Sequence, residues 1–117
     1  MSRVDPVPEG ATATPGQGPF RIAYADAAVR HLSQLTARLR ATVLDVAELK
    51  LTHQPTVPTR NRKRLRDNTI ATWELRIGHI RVYFDVEEAD EAVVTIRAVG
   101  VKARERVLIG GEEVDPT

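Results

Sequence analysis

The sequence predicts an α+β domain of two layers, in which the secondary structure elements follow the order β-α-α-β-β-β. Two periodicities support this fold class. Apolar residues recur every three or four positions between residues 28 and 53, as in helices, whereas apolar and polar residues alternate in 20–24, 73–86 and 92–101, as in strands. Because each kind of element leaves one apolar face uncovered, the helices are expected to pack on the apolar face of the sheet.

Length and composition place the chain among single-domain globular proteins. It has 117 residues, of which 42% are hydrophobic, and this is enough to form one modest core. It contains no Cys, so it has neither disulfides nor thiolate metal ligands, which is typical of a cytosolic protein. The sequence has no signal-peptide pattern and no apolar run of about 18 residues. We therefore expect a cytoplasmic protein that does not enter a membrane.

The two ends of the chain are expected to lie outside the folded domain. Residues 1–19 contain four Pro, three Gly and almost no large apolar side chains, so burial cannot offset the entropy lost on ordering them. We therefore predict a disordered arm at 1–19, a folded domain at 20–114 and a short tail at 115–117.

The first strand and the helices follow the arm. The alternation in PFRIAY predicts a strand, and Asp26 can cap the helix after it. The helical stretch has one apolar stripe, formed by Leu32, Leu35, Leu39, Val43 and Val46. A single helix of this length would overhang a domain about 30 Å across, so we expect a hairpin of two helices with a break near residues 36–40. Pro55 and Pro58 end the helical stretch because they cannot continue it.

Three antiparallel strands are expected after residue 72. The run WELRIGHIRVYFDV divides at Gly78-His79 into two alternating strands, and AVVTIRAVGV forms the third strand after an acidic turn. One face of the first two strands is apolar and carries Trp73, Leu75, Ile77, Ile80, Val82, Phe84 and Val86. The opposite face carries Glu74, Arg76, Arg81, Tyr83 and Asp85. Since the helices cover the apolar face, the charged face is left for function.

The small net charge of +1 conceals a strong separation of charge along the chain. Residues 60–82 carry seven Arg or Lys against Asp67 and Glu74, a net charge of +5. Residues 85–91, DVEEADE, follow with five carboxylates and no basic residue. A basic surface raises the local concentration of polyanions, so nucleic acid is the class of partner that this pattern favours.

The order of elements and two sequence blocks resemble the RelE/ParE family of toxins from bacterial type II toxin-antitoxin modules. The blocks are WELRIGHIRVYFDV and TIRAVGVKARERVLIGGEEV, and the resemblance covers residues 20–114. It implies a two-layer RelE/ParE-like fold, in which a helical hairpin packs on one face of an antiparallel sheet. It also implies three partners, namely a cognate antitoxin, the ribosome and mRNA, and no cofactor.

The resemblance further implies a reaction and the residues that perform it. RelE-type toxins cut mRNA in the ribosomal decoding site, where a ribose 2′-OH attacks the adjacent phosphate. Such attack requires a proton acceptor, cations that stabilise the charge on the phosphoryl group and an acid for the leaving oxygen. Matched by position to these toxins, Arg76 is a catalytic basic residue, Arg81 binds the phosphate, and Lys102 is a catalytic acid or base.

The basic run TRNRKRLRDN at residues 59–68 is predicted to dock RNA phosphates. Its cations precede the first hairpin strand, so they are expected at the rim of the charged face, and they are Arg60, Arg62, Lys63, Arg64 and Arg66. Phosphate contacts position a protein without reading sequence, so this run suits ribosomal RNA better than the choice of a codon. The alternative is a solvated charge run in a loop.

Two departures from the family pattern leave other functions open. Leu108 stands where these toxins often have Tyr or His, and Glu74 stands where a second Lys is frequent. The alternatives are a ParE-type inhibitor that binds DNA gyrase without chemistry, and a silent relative that only binds its antitoxin. Arg76 and Arg81 would then be solvated charges on an exposed sheet face. No metal site is expected, because the three His residues are far apart in sequence and lack neighbouring Cys or spaced carboxylates.

Overall fold

The structure is a computed structural model that describes residues 19–114. The predicted arm, apart from Pro19, and the predicted tail at 115–117 lie outside the described residues. The helices and strands, in chain order, are β1 (Arg21–Tyr24), α1 (Asp26–Ser33), α2 (Ala37–Leu51), β2 (Arg62–Arg64), β3 (Trp73–Ile77), β4 (Ile80–Glu87), β5 (Val93–Ala103), β6 (Arg106–Ile109) and β7 (Glu112–Val114).

The strands form one seven-stranded sheet, and the two helices lie against one of its faces. Strands β2 to β7 follow one another in space in their chain order and pair antiparallel, whereas β1 pairs with β5 in parallel. The predicted α+β class, with a helical hairpin packed on one face of the sheet, is confirmed. The hairpin of β3 and β4 turns at Gly78-His79, where Gly78 has a φ of +61°. A type II′ turn needs positive φ at this position.

Strand β5 divides one of its edges between two partners. Residues Val93–Ile96 pair with β1, and residues Gly100–Ala103 pair with β6. In the gap between these pairings, Nδ1 of His31 on α1 accepts a hydrogen bond of 3.2 Å from the backbone N–H of Val99. The side chain thereby satisfies a backbone donor that neither neighbouring strand reaches.

A β-bulge in β5 keeps its apolar residues on the helix side of the sheet. Tyr83 on β4 opposes Ala98, whereas the next residue, Phe84, opposes Ile96, so Arg97 is the extra residue. Buried residues of both helices and of β3, β4 and β5 form the main core, which comprises Phe20, Ala28, Leu32, Val43, Ala47, Leu51, Trp73, Leu75, Ile80, Val82, Phe84, Val94, Ile96 and Val99. The apolar face predicted for the first two hairpin strands is therefore the face that the helices cover.

The predicted break between the helices is present, and Thr36 fixes its position. The hydroxyl of Thr36 accepts a hydrogen bond of 3.2 Å from the N–H of Leu39 and so caps α2. The predicted cap of α1 is wrong. Ala25 occupies the cap position, and Asp26 lies in the first turn, where its carboxylate faces the positive end of the helix dipole. The predicted apolar stripe is only partly buried, since Leu39 remains 43% exposed.

Three short strands were missed at the sequence level. Strand β2 forms within the basic run, and β6 and β7 form a C-terminal hairpin. The turn of this hairpin is Gly110-Gly111, with φ values of +62° and +87°, so the Gly-Gly pair was a signal that could have predicted it. Gly100 lets β6 approach β5, because a Cβ at this position would lie 2.8 Å from Cγ1 of Ile109. In the described part of the chain, neither helix is long and apolar enough to cross a membrane.

The burial of the His31 side chain should make the stability of the protein depend on pH. Burial, followed by the charge of Arg30, lowers the pKa of His31 in the folded protein below its usual value of 6.5. The unfolded chain therefore binds the proton more readily, and the free energy of unfolding should fall as the pH falls below about 6.5. Urea denaturation between pH 5 and pH 8 measures this dependence.

Two variants of His31 distinguish the effect of its protonation from the effect of its hydrogen bond to the Val99 N–H. In His31→Asn the amide oxygen can still accept from the Val99 N–H, so the variant should keep most of the stability while its pH dependence becomes flatter. In His31→Phe the N–H is left without an acceptor, so stability should fall by about 1–3 kcal/mol at neutral pH. His79, in the exposed hairpin turn, provides the matched control, and His79→Asn should retain the wild-type pH dependence. An equal effect of the His79 variant would contradict the assignment.

Candidate nucleic-acid interface

The face of the sheet that carries no helix is divided into an apolar part and a charged part. In the apolar part, Tyr83 of β4 is fully buried between Leu65 and Ala98, with Val107 and Ile109 of β6 packed around them. The alternation in β3 and β4 had indicated a face that is charged throughout. Part of this face is instead apolar. One set of its charged groups gathers at the end nearest the Gly78-His79 turn, and Asp85 forms a separate ion pair of 3.6 Å with Arg97 farther from the turn.

The charged part is a cleft of about 270 Å³, which we call the cationic cleft. It is lined by Lys63, Glu74, Arg76, Arg81, Lys102, Glu105, Arg106, Val107, Glu113 and Val114. Five cations and three carboxylates thus meet in one concave site, and the six strands from β2 to β7 all contribute residues to it. Arg106 and Glu113 form an exposed ion pair of 3.4 Å across the C-terminal hairpin. A cleft with excess positive charge can hold an anionic ligand such as a phosphodiester.

The three residues predicted to be catalytic all line the cationic cleft. Arg76 is exposed, and its Nε lies 3.7 Å from the Glu74 carboxylate. Arg81 is only 6% exposed, and its Nη1 donates hydrogen bonds of 2.8 Å to the carbonyl of Gly78 and 3.1 Å to that of Ile80. These bonds fix the guanidinium against the turn. Lys102 is half-buried, and its backbone N–H donates to the carbonyl of His79 at 2.7 Å.

Glu74 is the functional candidate that the sequence reasoning undervalued. It is 4% exposed and faces Lys63 on β2 and Tyr83 on β4, its partners in the strand pairing. The hydroxyl of Tyr83 is buried beside the Glu74 carboxylate. Burial, followed by the Glu74 charge, raises the pKa of Tyr83, so the phenol stays neutral beside the carboxylate. The period of two in β3 already placed Glu74 and Arg76 on one face, and this signal could have identified the pair.

The cations of the basic run do not lie on one common surface. The prediction that Arg62 docks RNA is corrected by its position in the structure. Arg62 is 7% exposed, and its guanidinium donates to the carbonyl of Val57 at 2.7 Å and to that of Lys50 at 2.9 Å. The second bond satisfies a carbonyl in the last turn of α2. Burial also lowers the pKa of Arg62. Since this guanidinium is bonded to the backbone on the helix side, Arg62 is a structural residue and is not placed to dock RNA.

The other cations of the run remain accessible but point to different places. Lys63 lines the cationic cleft. Arg60 lines a depression beside α2, and Arg64 and Arg66 line a polar depression formed by the 64–72 loop. Because β2 is a strand, neighbouring residues of the run project to opposite faces of the sheet. This alternation could not be seen before the pairing of β2 with β3 was known.

The C-terminal hairpin contributes Arg106 to the cleft but not Leu108, the position near which the resemblance placed a Tyr or His. Leu108 lies on β6, half-buried, and does not line the cleft, whereas Arg106 on the same strand does. Between residues 19 and 114, no three His, Cys, Asp or Glu residues lie close enough to hold a metal ion. The charged side chains that line the cleft carry guanidinium, ammonium and carboxylate groups.

Comparison with solved structures gives a similarity that bears on the fold. No protein-family model matches the sequence, and no curated protein matches it significantly. Among solved structures, the chain is similar to a chain of the RelBE2 toxin-antitoxin complex from Mycobacterium tuberculosis, with 26% sequence identity and a TM-score of 0.64. The alignment covers 76% of this chain and 98% of the matched chain. Almost the entire matched chain thus has a counterpart here.

The corrected role of Arg62 can be tested by comparing it with its neighbour in the run. Arg62→Ala removes the donor to two backbone carbonyls, so the free energy of unfolding should fall by about 1–3 kcal/mol. Lys63→Ala removes an exposed cation of the same run and should change stability by less than about 0.5 kcal/mol. Urea denaturation of both variants at neutral pH gives the comparison. Equal stability of the two variants would show that the Arg62 bonds contribute nothing.

Proposed function

Because this chain has the RelE-like toxin fold, we infer that it is the toxin of a type II toxin-antitoxin module, and we propose that it cleaves mRNA in the ribosomal decoding site. The observation that carries the proposal is the cationic cleft. It unites Arg76, Arg81 and Lys102 with the buried carboxylate of Glu74 on the face of the sheet that the helices leave uncovered. Cleavage of RNA through its own 2′-OH needs this combination of a proton acceptor and several cations.

The reaction can be assigned to the residues of the cleft step by step. The 2′-oxygen attacks the adjacent phosphorus, and its proton passes to the Glu74 carboxylate. Arg76 and Arg81 stabilise the negative charge that develops on the phosphoryl oxygens. The bond from phosphorus to the 5′-oxygen then breaks, and Lys102 donates a proton to that oxygen. The products are a 2′,3′-cyclic phosphate and a new 5′-hydroxyl end.

Glu74 suits the role of proton acceptor because of its surroundings. Lys63, Arg76 and Arg81 line the same cleft, and Arg76 lies within ion-pair distance of the carboxylate. These cations are placed to hold a phosphodiester beside the carboxylate. The presence of Glu at this position, where a Lys is frequent in the family, is therefore compatible with catalysis.

Docking on the ribosome is proposed for the accessible cations outside the cleft. Arg60, Arg64 and Arg66 are exposed, with Arg60 beside α2 and Arg64 and Arg66 at the 64–72 loop. Lys63 lies between the two regions, because it belongs to the run and lines the cleft. We propose that these side chains contact RNA phosphates in the cytoplasm, where the ribosome is the target and an antitoxin is the controlling partner.

Expression in a bacterial host tests the proposed activity directly. Production of the full chain without an antitoxin should arrest growth, and mapping of RNA 5′ ends should reveal new ends within translated messages. The new ends should carry 5′-hydroxyl groups. A catalytically impaired Glu74→Gln variant produced at the same level serves as control. Intact messages together with relaxed plasmid DNA would replace the nuclease proposal with a ParE-type inhibition of gyrase.

Single-turnover cleavage on saturating ribosomes separates chemistry from docking. Glu74→Gln removes the proton acceptor at nearly constant volume and should slow cleavage by about 10² to 10⁴. Arg76→Ala should slow cleavage by about 10² to 10³, the effect of losing one preorganised donor to the transition state. Both variants should bind ribosomes nearly as well as the wild type.

A variant that lacks docking cations should show the opposite result, with weaker ribosome binding and unchanged chemistry. Replacing Arg64 and Arg66 together with Ala should weaken ribosome binding and reduce its salt dependence, while the saturated cleavage rate stays near that of the wild type. Arg81→Ala is a less clean test, because this guanidinium also bonds to the Gly78 and Ile80 carbonyls. A wild-type saturated rate in Glu74→Gln would remove Glu74 from the mechanism.

A further inference from the structure

The face of the sheet that carries no helix holds a buried polar side chain that the proposed reaction does not use. Tyr83 of β4 is fully buried, and its hydroxyl lies beside the Glu74 carboxylate. The two residues are direct partners in the pairing of β3 with β4, so their side chains stand next to each other on one face. Burying a phenol hydroxyl costs free energy unless it meets a hydrogen-bond partner. The Glu74 carboxylate is the partner that this geometry offers.

The ring of Tyr83 is held in place by an apolar cluster. Leu65 and Ala98 are buried against it, and Val107 and Ile109 pack around them. The β-bulge in β5 sets Ala98 directly opposite Tyr83, where a small side chain leaves room for the ring. A ring enclosed by close packing keeps one orientation, so the position of its hydroxyl is fixed.

The hydroxyl of Tyr83 can touch Glu74 but not a ligand in the cleft. Glu74 and Arg81 line the cationic cleft, whereas Tyr83 is not one of the described residues that line it. Since Tyr83 has no exposed surface, a phosphodiester in the cleft would not contact it. A role for this phenol in the reaction must therefore act through the carboxylate.

The charged neighbours of Glu74 are less well placed to fix its orientation. Nε of Arg76 lies 3.7 Å from the carboxylate, which is longer than a hydrogen bond, and Arg76 is exposed. Lys63, the partner of Glu74 on β2, is also exposed. Long exposed side chains keep much of their rotamer freedom. Tyr83 is the neighbour of Glu74 whose position is fixed by packing.

The phenol acts as the donor in its contact with the carboxylate. Burial, followed by the Glu74 charge, raises the pKa of Tyr83, so the O–H keeps its proton. Carboxylate oxygens only accept hydrogen bonds, and a bond to a charged acceptor is shorter and stronger than one between neutral groups. The direction of the bond is therefore from the hydroxyl to the carboxylate.

We propose that Tyr83 is a positioning residue, which donates a hydrogen bond to one oxygen of the Glu74 carboxylate and turns the other oxygen toward the ribose 2′-OH in the cleft. The role in cleavage rests on the proposed function of the chain, whereas the hydrogen bond does not. A proton acceptor must lie within hydrogen-bond reach of the proton that it takes. A misplacement of about 1 Å can slow a reaction by about 10²-fold. The apolar cluster around Tyr83 thus supports the chemistry of the cleft by fixing one donor.

Nuclear magnetic resonance tests the hydrogen bond without RNA. The chain has two Tyr residues, so a protein labelled with carbon-13 at Cζ of Tyr should give two signals, which Tyr24→Phe assigns. Glu74→Gln replaces a charged acceptor with a neutral one and should shift the Tyr83 signal. Glu48 provides the matched control because it lies near the other tyrosine, Tyr24. Glu48→Gln should leave the Tyr83 signal where it is in the wild type.

Single-turnover cleavage on saturating ribosomes tests the positioning role. Tyr83→Phe removes the hydroxyl and keeps the ring in its cluster, so it should slow cleavage by about 10-fold to 10²-fold while ribosome binding stays near that of the wild type. In the Glu74→Gln background the same change should alter the rate by less than about twofold, because no carboxylate remains to be oriented. Tyr24→Phe should cleave at the wild-type rate. Circular dichroism should show a folded protein in every variant.

Three results would overturn the positioning role. The first is a Tyr83 signal that Glu74→Gln does not shift, because no hydrogen bond then joins the two side chains. The second is equal slowing by Tyr83→Phe in both backgrounds, since a purely structural residue acts whether or not the carboxylate is present. The third is a wild-type rate of cleavage in Tyr83→Phe.

Failure of the proposed function would give a different pattern. If the wild type leaves messages intact while the Tyr83 signal still responds to Glu74→Gln, the nuclease proposal fails and takes the positioning role with it, whereas the hydrogen bond stands. If the wild type cleaves RNA and Tyr83→Phe cleaves equally fast, the positioning role alone fails.

Discussion

The structure depends on the way in which β5 satisfies its backbone hydrogen bonds. This strand is the only described one that pairs with three others, since β4 lies along one edge while β1 and β6 share the opposite edge. The shared edge leaves a gap, and the His31 side chain closes it by accepting from the Val99 N–H. The same contact ties α1 to the centre of the sheet. Buried backbone donors must be paired, so the gap, the position of α1 and the C-terminal hairpin constrain one another.

The bulge at Arg97 connects this arrangement to the candidate site. A regular strand would place Val94, Ala98 and Lys102 on one face, because side chains alternate. The extra residue shifts the alternation, so that Val94 and Val99 both enter the core. Lys102 then lies on the opposite face, in the cleft that also holds Arg81. The bulge at Arg97 thus directs Val99 into the core and Lys102 into the cationic cleft.

Charge is distributed so that the two sides of the sheet differ in what they can bind. The cleft combines cations with carboxylates, among them Glu74, and is suited to acid-base chemistry on a phosphodiester. On the helix side, a depression between α2 and the β3-β4 turn is lined mainly by aliphatic side chains. Lys102 lines both this depression and the cleft.

The sequence by itself determined the fold class, the helical hairpin and the face on which Arg76 and Arg81 lie. Each of these follows from local periodicity, since the direction of a side chain depends only on its place in a helix or strand. Tertiary structure decided which residues meet. The pairing of β2 with β3 turns Lys63 toward the cleft and Arg62 toward the end of α2, and the bulge decides the face of Lys102. Strand register and bulges arise from contacts between distant segments, so no local pattern in the sequence encodes them.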